Sequence, residues 1–298
     1  MRSAATSLFD VRRWTFDVGR SSLKPIPDDM NRVQKHVLRM VAGSTVRVTP
    51  LALEKMFIET HGLTRQRVKT VIRDLVSDGE LVYTYEFGST FLEPSFNKPV
   101  RVSTHVILKP PGHSYQPAPE DVVVQIKPGA AFGDGRHSTS RLAIRGIEYV
   151  LKKIKSDRPE DQSRVLDIGT GSGILVITAV GMGIHRGIGI DIDPAARSEA
   201  KENVSINRFE DRIKISEQYL ETIEGCFDLV TANLRYPTLK KICPCLRKIT
   251  HPKGFIVCSG IRSHELADLI KAYARKKFEV VWQEKELDWM GVVLKRQK

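Results

Sequence analysis

The segment Val165-Leu166-Asp167-Ile168-Gly169-Thr170-Gly171-Ser172-Gly173 puts an acid just ahead of three glycines in GxGxG spacing. An apolar run that enters glycines before a helix lets the backbone approach a ligand where side chains would block it. The spacing is not the GxGxxG fingerprint that seats a pyrophosphate. A second apolar run ends in Gly189-Ile190-Asp191-Ile192-Asp193, with Asp191 22 residues after Gly169. A carboxylate at such a strand end accepts hydrogen bonds from both hydroxyls of a ribose. Tight turns alone explain either segment, but the two together suit the sulfonium nucleoside S-adenosylmethionine better than a dinucleotide. Asp193 precedes Pro194 and reads as a helix cap.

A later run ends at Ala232-Asn233-Leu234. An asparagine there can accept hydrogen bonds from an attacking amine and leave its lone pair aimed at a methyl carbon. In-line displacement at a cationic sulfur needs orientation and a neutral nucleophile more than a strong base. A lysine amine, with a pKa of about 10.4, must first lose a proton, and an apolar site favours that loss. Asn233-Leu234-Arg235-Tyr236 also keeps an N-x-x-Y spacing. Amine-methylating nucleic-acid enzymes use N-P-P-Y, whose aromatic stacks on an extruded base. Both prolines are missing here, so Tyr236 reads equally as the start of the next helix, ahead of Pro237. The leading expectation is therefore an enzyme methylating a protein amine, and the alternative is a nucleic-acid amine. A non-catalytic DNA-binding regulator is the third reading, which has no need of Phe132, Gly169, Asp191 and Asn233 together.

The elements that must position these residues follow from periodicity. Residues 122–126, 164–168, 188–191, 227–232 and 254–258 are β-branched or apolar runs suited to buried parallel strands, and Ser216-Glu217 ends a further one. Helical patterns at 173–180, 194–206, 238–249 and 264–274 separate most of them. This βαβ series predicts an α/β, doubly wound, mostly parallel sheet with ligand sites at the strand carboxyl ends. Residues 278–282 and 290–294 are two strands with no helix between, hence an antiparallel C-terminal hairpin, flanked by Trp282 and Trp289.

Before that domain, Val33, Val37, Leu38 and Val41 recur at helical spacing. Pro50 can open a second helix reaching about His61, and Thr64 can cap a third carrying Val68, Val71, Ile72 and Leu75. Residues 81–87 and 90–92 around Gly88-Ser89 read as a hairpin. Three helices and a two-stranded wing predict a small α+β, winged helix-turn-helix-like domain over 31–108, after an N-terminal extension of 1–30. Its third helix carries Arg65, Arg67, Lys69 and Arg73, which would meet nucleic acid phosphates or, equally, form a solvated face. Four prolines within 109–120 predict a linker, leaving 121–298 as the second domain.

Composition agrees with a two-domain globular chain of 298 residues, 41% apolar and 28% charged. The net charge of +12 favours an acidic partner such as nucleic acid or a ribonucleoprotein. No apolar run is long enough for a membrane helix, and Met1 to Leu23 lacks the continuous apolar core of a secretory signal. Four cysteines, none spaced CxxC, argue against a disulfide framework or zinc ribbon, so a reducing cytoplasm is the expected compartment and no metal is expected.

Residues from about 120 to 298 resemble the bacterial ribosomal protein L-eleven methyltransferase (PrmA) family. The resemblance rests on Ala131-Phe132-Gly133-Asp134-Gly135-Arg136-His137-Ser138-Thr139, similar to the family's AFGTGxHxTT segment, and on Asp167 to Leu175. Asp191 to Pro194, Glu202-Asn203, Asn207, Ala232-Asn233-Leu234 and Ser259-Gly260-Ile261 extend it. It implies a seven-stranded, Rossmann-like, class I S-adenosylmethionine-dependent methyltransferase domain and a protein lysine or α-amine substrate, ribosomal in that family. Phe132 and Thr139 would line the cofactor pocket, Gly169 and Gly171 would pass beside the methionine part, and Asp167 and Thr170 would also bind the cofactor. Asp191 and Ile192 would hold the ribose side, Ser216 the adenine side, and Asn233 with Leu234 the acceptor amine. His137 matches the family pattern, with a structural role favoured. The family uses a ferredoxin-like N-terminal domain to grip its substrate, a departure that leaves substrate identity outside the resemblance.

Overall fold

A computed structural model of the chain describes residues 31–44, 46–86, 88–153 and 162–297. The N-terminal extension of 1–30 and Phe87, read above as part of a strand, lie outside them. Helix α1 (Arg32–Gly43) covers the helical spacing that starts at Val33, and α2 (Pro50–His61) and α3 (Arg65–Ser77) begin where Pro50 and the Thr64 cap predict. Asn31 forms a capping box with Gln34, Thr49 accepts from the Ala52 amide ahead of a first-position Pro50, and Thr64 accepts from the Arg67 amide. Their apolar stripes close on one another through Val37, Val41, Leu53, Phe57, Val68 and Leu75, all buried. The antiparallel hairpin of β1 (Leu81–Glu86) and β2 (Ser89–Pro94) covers this core, and Val48 bridges Leu92 from the chain between α1 and α2.

Short strands β3 (Val100–Arg101), β4 (Val106–Lys109) and β5 (Val122–Gln125) form a three-stranded sheet that sequence reading did not anticipate. β4 and β5 pair in parallel, so the proline-rich stretch between them is the crossover within one sheet. That stretch is also pinned. Arg101 reaches Tyr115 at 3.3 Å and Asp121 at 2.7 Å, and the Asp121 carboxylate accepts from the Ala118 amide.

The large sheet is built from β6 (Arg164–Ile168), β7 (Arg186–Ile190), β8 (Ile213–Ser216), β9 (Phe227–Asn233), β10 (Thr250–Arg262), β11 (Phe278–Glu286) and β12 (Trp289–Arg296). Its order is β11-β12-β10-β9-β6-β7-β8. The central strands β10, β9, β6, β7 and β8 are parallel, while β12 inserts antiparallel between β10 and β11. Helices α4 (Ser138–Lys153), α5 (Ile174–Gly181), α6 (Pro194–Ile206), α7 (Tyr236–Ile249) and α8 (Leu266–Ala274) flank it. Alternate residues of β6 feed two apolar clusters, Val165 packing with Ile144 and Ile177 and Leu166 with Leu239 and Leu246. Helix α4 lies outside the helices expected from sequence, and Ile144, Ile147 and Val150 are fully buried along it.

Candidate functional site

Beyond Ile168 the chain turns through residues 169–173 into α5. Gly169, Gly171 and Gly173 hold φ of +68°, +53° and +84°. A Cβ on Gly169 would lie 2.6 Å from Leu234 Cδ2, and one on Gly171 2.3 Å from the Phe132 carbonyl oxygen. The turn is therefore gripped between the end of β9 and the segment around Phe132, which only glycine permits. The Gly169 and Thr170 amides donate to the Ile190 carbonyl at 2.9 and 3.0 Å, tying the turn to the end of β7.

Asp167 sits beneath the turn with no exposed surface. Its Oδ2 accepts from the Thr170 hydroxyl at 2.6 Å and its Oδ1 from the Thr231 hydroxyl at 2.7 Å. Burial pushes its carboxyl up to about 6 against the pull of those hydroxyls, and the charge of Asp191 adds to the rise. Asp167 is thus placed as a support for the turn, not as an exposed wall of a pocket.

Asp191 is partly exposed just beyond β7. Its Oδ2 accepts from the Gly171 amide at 2.9 Å and its Oδ1 from the Asp193 amide at 3.0 Å. Each carboxylate oxygen has a second lone pair, so two further donors, such as a ribose diol, can be accepted there. Around the same strand ends, Phe132, Ile192 and Tyr219 expose 56%, 78% and 67% of their surfaces. Tyr219 was not singled out from sequence; its signal was an aromatic three residues after Ser216, where β8 ends. The Ser216 hydroxyl faces Gln218 at 3.4 Å.

The segment carrying Phe132 is held at several points. Glu199 on α6 accepts from the Ala130 and Ala131 amides at 2.8 and 3.0 Å. The Ser172 amide donates to the Phe132 carbonyl at 3.0 Å, and the Ser172 hydroxyl to the Gly133 carbonyl at 2.7 Å. Asn203 donates to the Ser172 carbonyl and accepts from the Lys127 amide, both at 2.9 Å, while Asn207 accepts from the Gln125 amide. These contacts give the α6 asparagines their place. Farther on, Arg141 donates to the Gly135 carbonyl at 3.2 Å and pairs with Glu286 of β11, which also pairs with Arg145. Burial alone would raise the Glu286 carboxyl, but the two guanidiniums hold it below its ordinary value.

His137 stacks edge-on between Phe132 and Trp289, with centroids at 5.3 and 5.1 Å, and the Arg262 guanidinium lies 3.7 Å over Trp289. The His137 Nδ1 lies 2.8 Å from the hydroxyl of buried Thr139, and its carbonyl accepts from the Ser140 amide at the start of α4. Asn233 ends β9 and is partly exposed, and among the described residues its carboxamide has no hydrogen-bond partner. The Leu234 amide donates to the Ser259 carbonyl at 3.1 Å. Tyr236 opens α7; its hydroxyl bonds Asp268, which also pairs with Lys240 at 2.6 Å, and its ring packs on the apolar cluster beneath.

The fold thus gathers Phe132, Gly169, Thr170, Gly171, Asp191, Ile192, Asn233 and Leu234 around the carboxyl ends of β6, β7 and β9, with Asp167 and Thr139 buried behind them. The basic residues of α3 belong to the helical unit. There Arg65 is committed to buried Glu54 at 2.8 Å, and Arg73 lies 3.8 Å from Asp74. Arg67 and Lys69 are exposed.

Parallel strands in this order with one reversed strand beside them are the fold of the class I S-adenosylmethionine-dependent methyltransferases, and the glycine turn tied to the acid after the second strand lies at its strand ends. Within that class, the chain belongs to the ribosomal protein L11 methyltransferase (PrmA) family, whose model matches residues 94–297. It is 32% identical over 200 residues to the ribosomal protein L11 methyltransferase of Clostridium perfringens, covering 67% of this chain and 61% of that protein. The one from Geotalea daltonii is 33% identical over 200 residues, covering 66% of this chain and 64% of its own length. The chain therefore spans about three-fifths of the length of the curated relatives it matches. The crystal structure of ribosomal protein L11 methylase from Lactobacillus delbrueckii subsp. bulgaricus aligns with a TM-score of 0.60 at 30% identity, over 67% of this chain and all of that one. Among the described residues no helix is long and apolar enough to cross a membrane.

Proposed function

We propose that the chain transfers a methyl group from S-adenosylmethionine to an amine of a protein, with a ribosomal protein as substrate class. The reading is supported by Leu234, the residue after Asn233 at the end of β9, lying directly against the Gly169 turn, where a Cβ would strike it. The residues present fit the cofactor. The glycine turn leaves room for close approach, Asp191 keeps acceptor capacity beside it, and Ile192, Phe132 and Tyr219 offer apolar surface around it.

When bound, S-adenosylmethionine supplies a methyl group on a cationic sulfur, open to in-line displacement. Asp191 would hold its sugar side by accepting hydrogen bonds there, and Gly169 and Gly171 keep the turn narrow. Asn233 accepts an N–H of the neutral acceptor amine through Oδ1, which fixes the direction of its lone pair. Phe132 and Leu234 exclude water, favouring the uncharged amine. The proton released after transfer leaves to solvent past the partly exposed Asn233.

The commitment of Tyr236 to Asp268 and Lys240 favours the protein amine over an extruded base, because the ring lies on the cluster under α7. For residues 31–94 we read a winged-helix unit that docks the substrate, with Arg67 and Lys69 among its exposed cations. The order of helices, bridge and hairpin supports this reading. Incubation with tritium-labelled S-adenosylmethionine and a cell extract tests the activity. Protease-sensitive, nuclease-resistant label is expected; label removed by nuclease, or none at all, overturns the proposal.

A further inference from the structure

Ser259 stands directly opposite Asn233 in the parallel register of β10 and β9. Residues so paired project to the same face of the sheet. The Ser259 side chain is completely buried, and its Oγ has no hydrogen-bond partner. Buried hydroxyls are nearly always bonded, so an orphan of this kind calls for an explanation. Its neighbour across the ladder, the Asn233 carboxamide, is likewise without a partner among the described residues.

Local backbone geometry locks together the strand ends that carry the two residues. The pairing of β10 with β12 shifts register between Cys258 and Ile261, so Ser259 and Gly260 form an irregularity in the ladder. Gly260 holds φ +87°, and a Cβ there would lie 2.4 Å from the Leu234 carbonyl oxygen. With the Leu234 amide bonded to the Ser259 carbonyl, the ends of β9 and β10 are locked in register. Bulges beside active sites commonly re-aim a side chain in this way.

We propose that Ser259 is a positioning residue for the acceptor step. Its Oγ accepts a hydrogen bond from Asn233 Nδ2 as the carboxamide turns toward the amine. That bond selects the amide orientation, since the nitrogen end is taken and Oδ1 alone faces the acceptor N–H. The inference rests on the methyl-transfer reading above and deepens it. It assigns no contact between Ser259 and the cofactor.

The test uses the full chain carrying Ser259→Ala, Asn233→Ala or both. Methyl transfer, calorimetric binding of S-adenosylhomocysteine and thermal unfolding are measured for each. Ser259→Ala is expected to slow transfer by roughly 10-fold to 100-fold. Binding should stay within about two-fold, and the double variant should be no slower than Asn233→Ala alone. Unfolding temperature should stay level or rise, because an unsatisfied buried hydroxyl has been removed. A wild-type rate in Ser259→Ala, a further loss in the double variant, or a fall in unfolding temperature that accounts for the lost rate overturns the assignment. If the unaltered chain binds S-adenosylhomocysteine but transfers no label, the parent reading fails and this one with it. If the unaltered chain transfers and Ser259→Ala matches it, only this one fails.

Discussion

The amide of Gly171 donates to Asp191 Oδ2 at 2.9 Å, so the turn after the first strand of the parallel domain is fastened to the acid after the second. The same carboxylate accepts from the amide of Asp193, whose own side chain caps α6 by accepting from the Ala195 amide. Charge at Asp191 thus fixes two backbone segments before any ligand arrives. Pre-organisation of this kind lowers the ordering cost of binding.

Asp191→Ala removes both the fastening and the acceptor for a sugar. Affinity for S-adenosylhomocysteine should fall by roughly 10-fold to 100-fold, the loss expected for a hydrogen bond to a charged group. Titration calorimetry measures it directly, and an unchanged dissociation constant would contradict the role given to the carboxylate.

Asn233→Ala should leave that affinity within about two-fold and lower the transfer rate by roughly 100-fold, since orientation alone is lost. Single-turnover kinetics separates the two effects. A variant that binds poorly yet turns over normally once saturated would reverse the assignment.

Asp167 makes a pH-dependent contribution of known sign. In the folded chain its carboxyl holds a proton up to about pH 6, above the ordinary value of 3.8, because burial opposes the charged form. The folded state therefore binds more protons than the unfolded one between those values, and stability declines as pH rises through that window. Asp167→Asn removes this term while keeping polar partners for Thr170 and Thr231. Relative to the variant, the parent chain should lose on the order of 3 kcal/mol between pH 3.5 and 7. Parallel urea titrations across that range measure the difference, and curves that stay parallel would refute it.

The basic residues of α3 should separate by their partners. Arg65→Gln strands the buried carboxylate of Glu54 and should destabilise the helical unit by roughly 1–3 kcal/mol. Arg67→Gln with Lys69→Gln should leave stability within about 0.5 kcal/mol. If the unit touches phosphates, that pair should flatten the salt dependence of binding to ribosomal particles. A salt slope that does not change would place the contact on another surface.

Short-range signals made much of the site legible from sequence. Gly169 to Gly173, Asp191 and Asn233 each follow an apolar run, so their positions at strand ends could be read locally, and the order of strands then brought them together. What stayed hidden depends on partners far along the chain. Asp167 is occupied by a hydroxyl from Thr231, 64 residues away, and nothing near it in sequence announces that bond. Ser259 is legible in sequence only as part of the Ser259-Gly260-Ile261 motif; its pairing with Asn233 depends on the register of β10 and β9. β3 is two residues long, below the length at which alternation can be recognised. The apolar spacing of Leu142, Ile144, Ile147 and Val150 in α4 carries a helical signal, but the glycines and Asp134 just ahead of it read as loop.

The parallel pairing of β4 with β5 across the proline-rich crossover has a practical corollary for dissecting this molecule. A fragment beginning after Pro119 would keep β5 yet discard the strand that satisfies its main-chain donors and acceptors. Such a bare margin recruits neighbouring copies and drives clumping. Cutting near Pro94 instead keeps all three short strands in one piece, and a soluble fragment starting there would retain the Phe132 segment in its native frame.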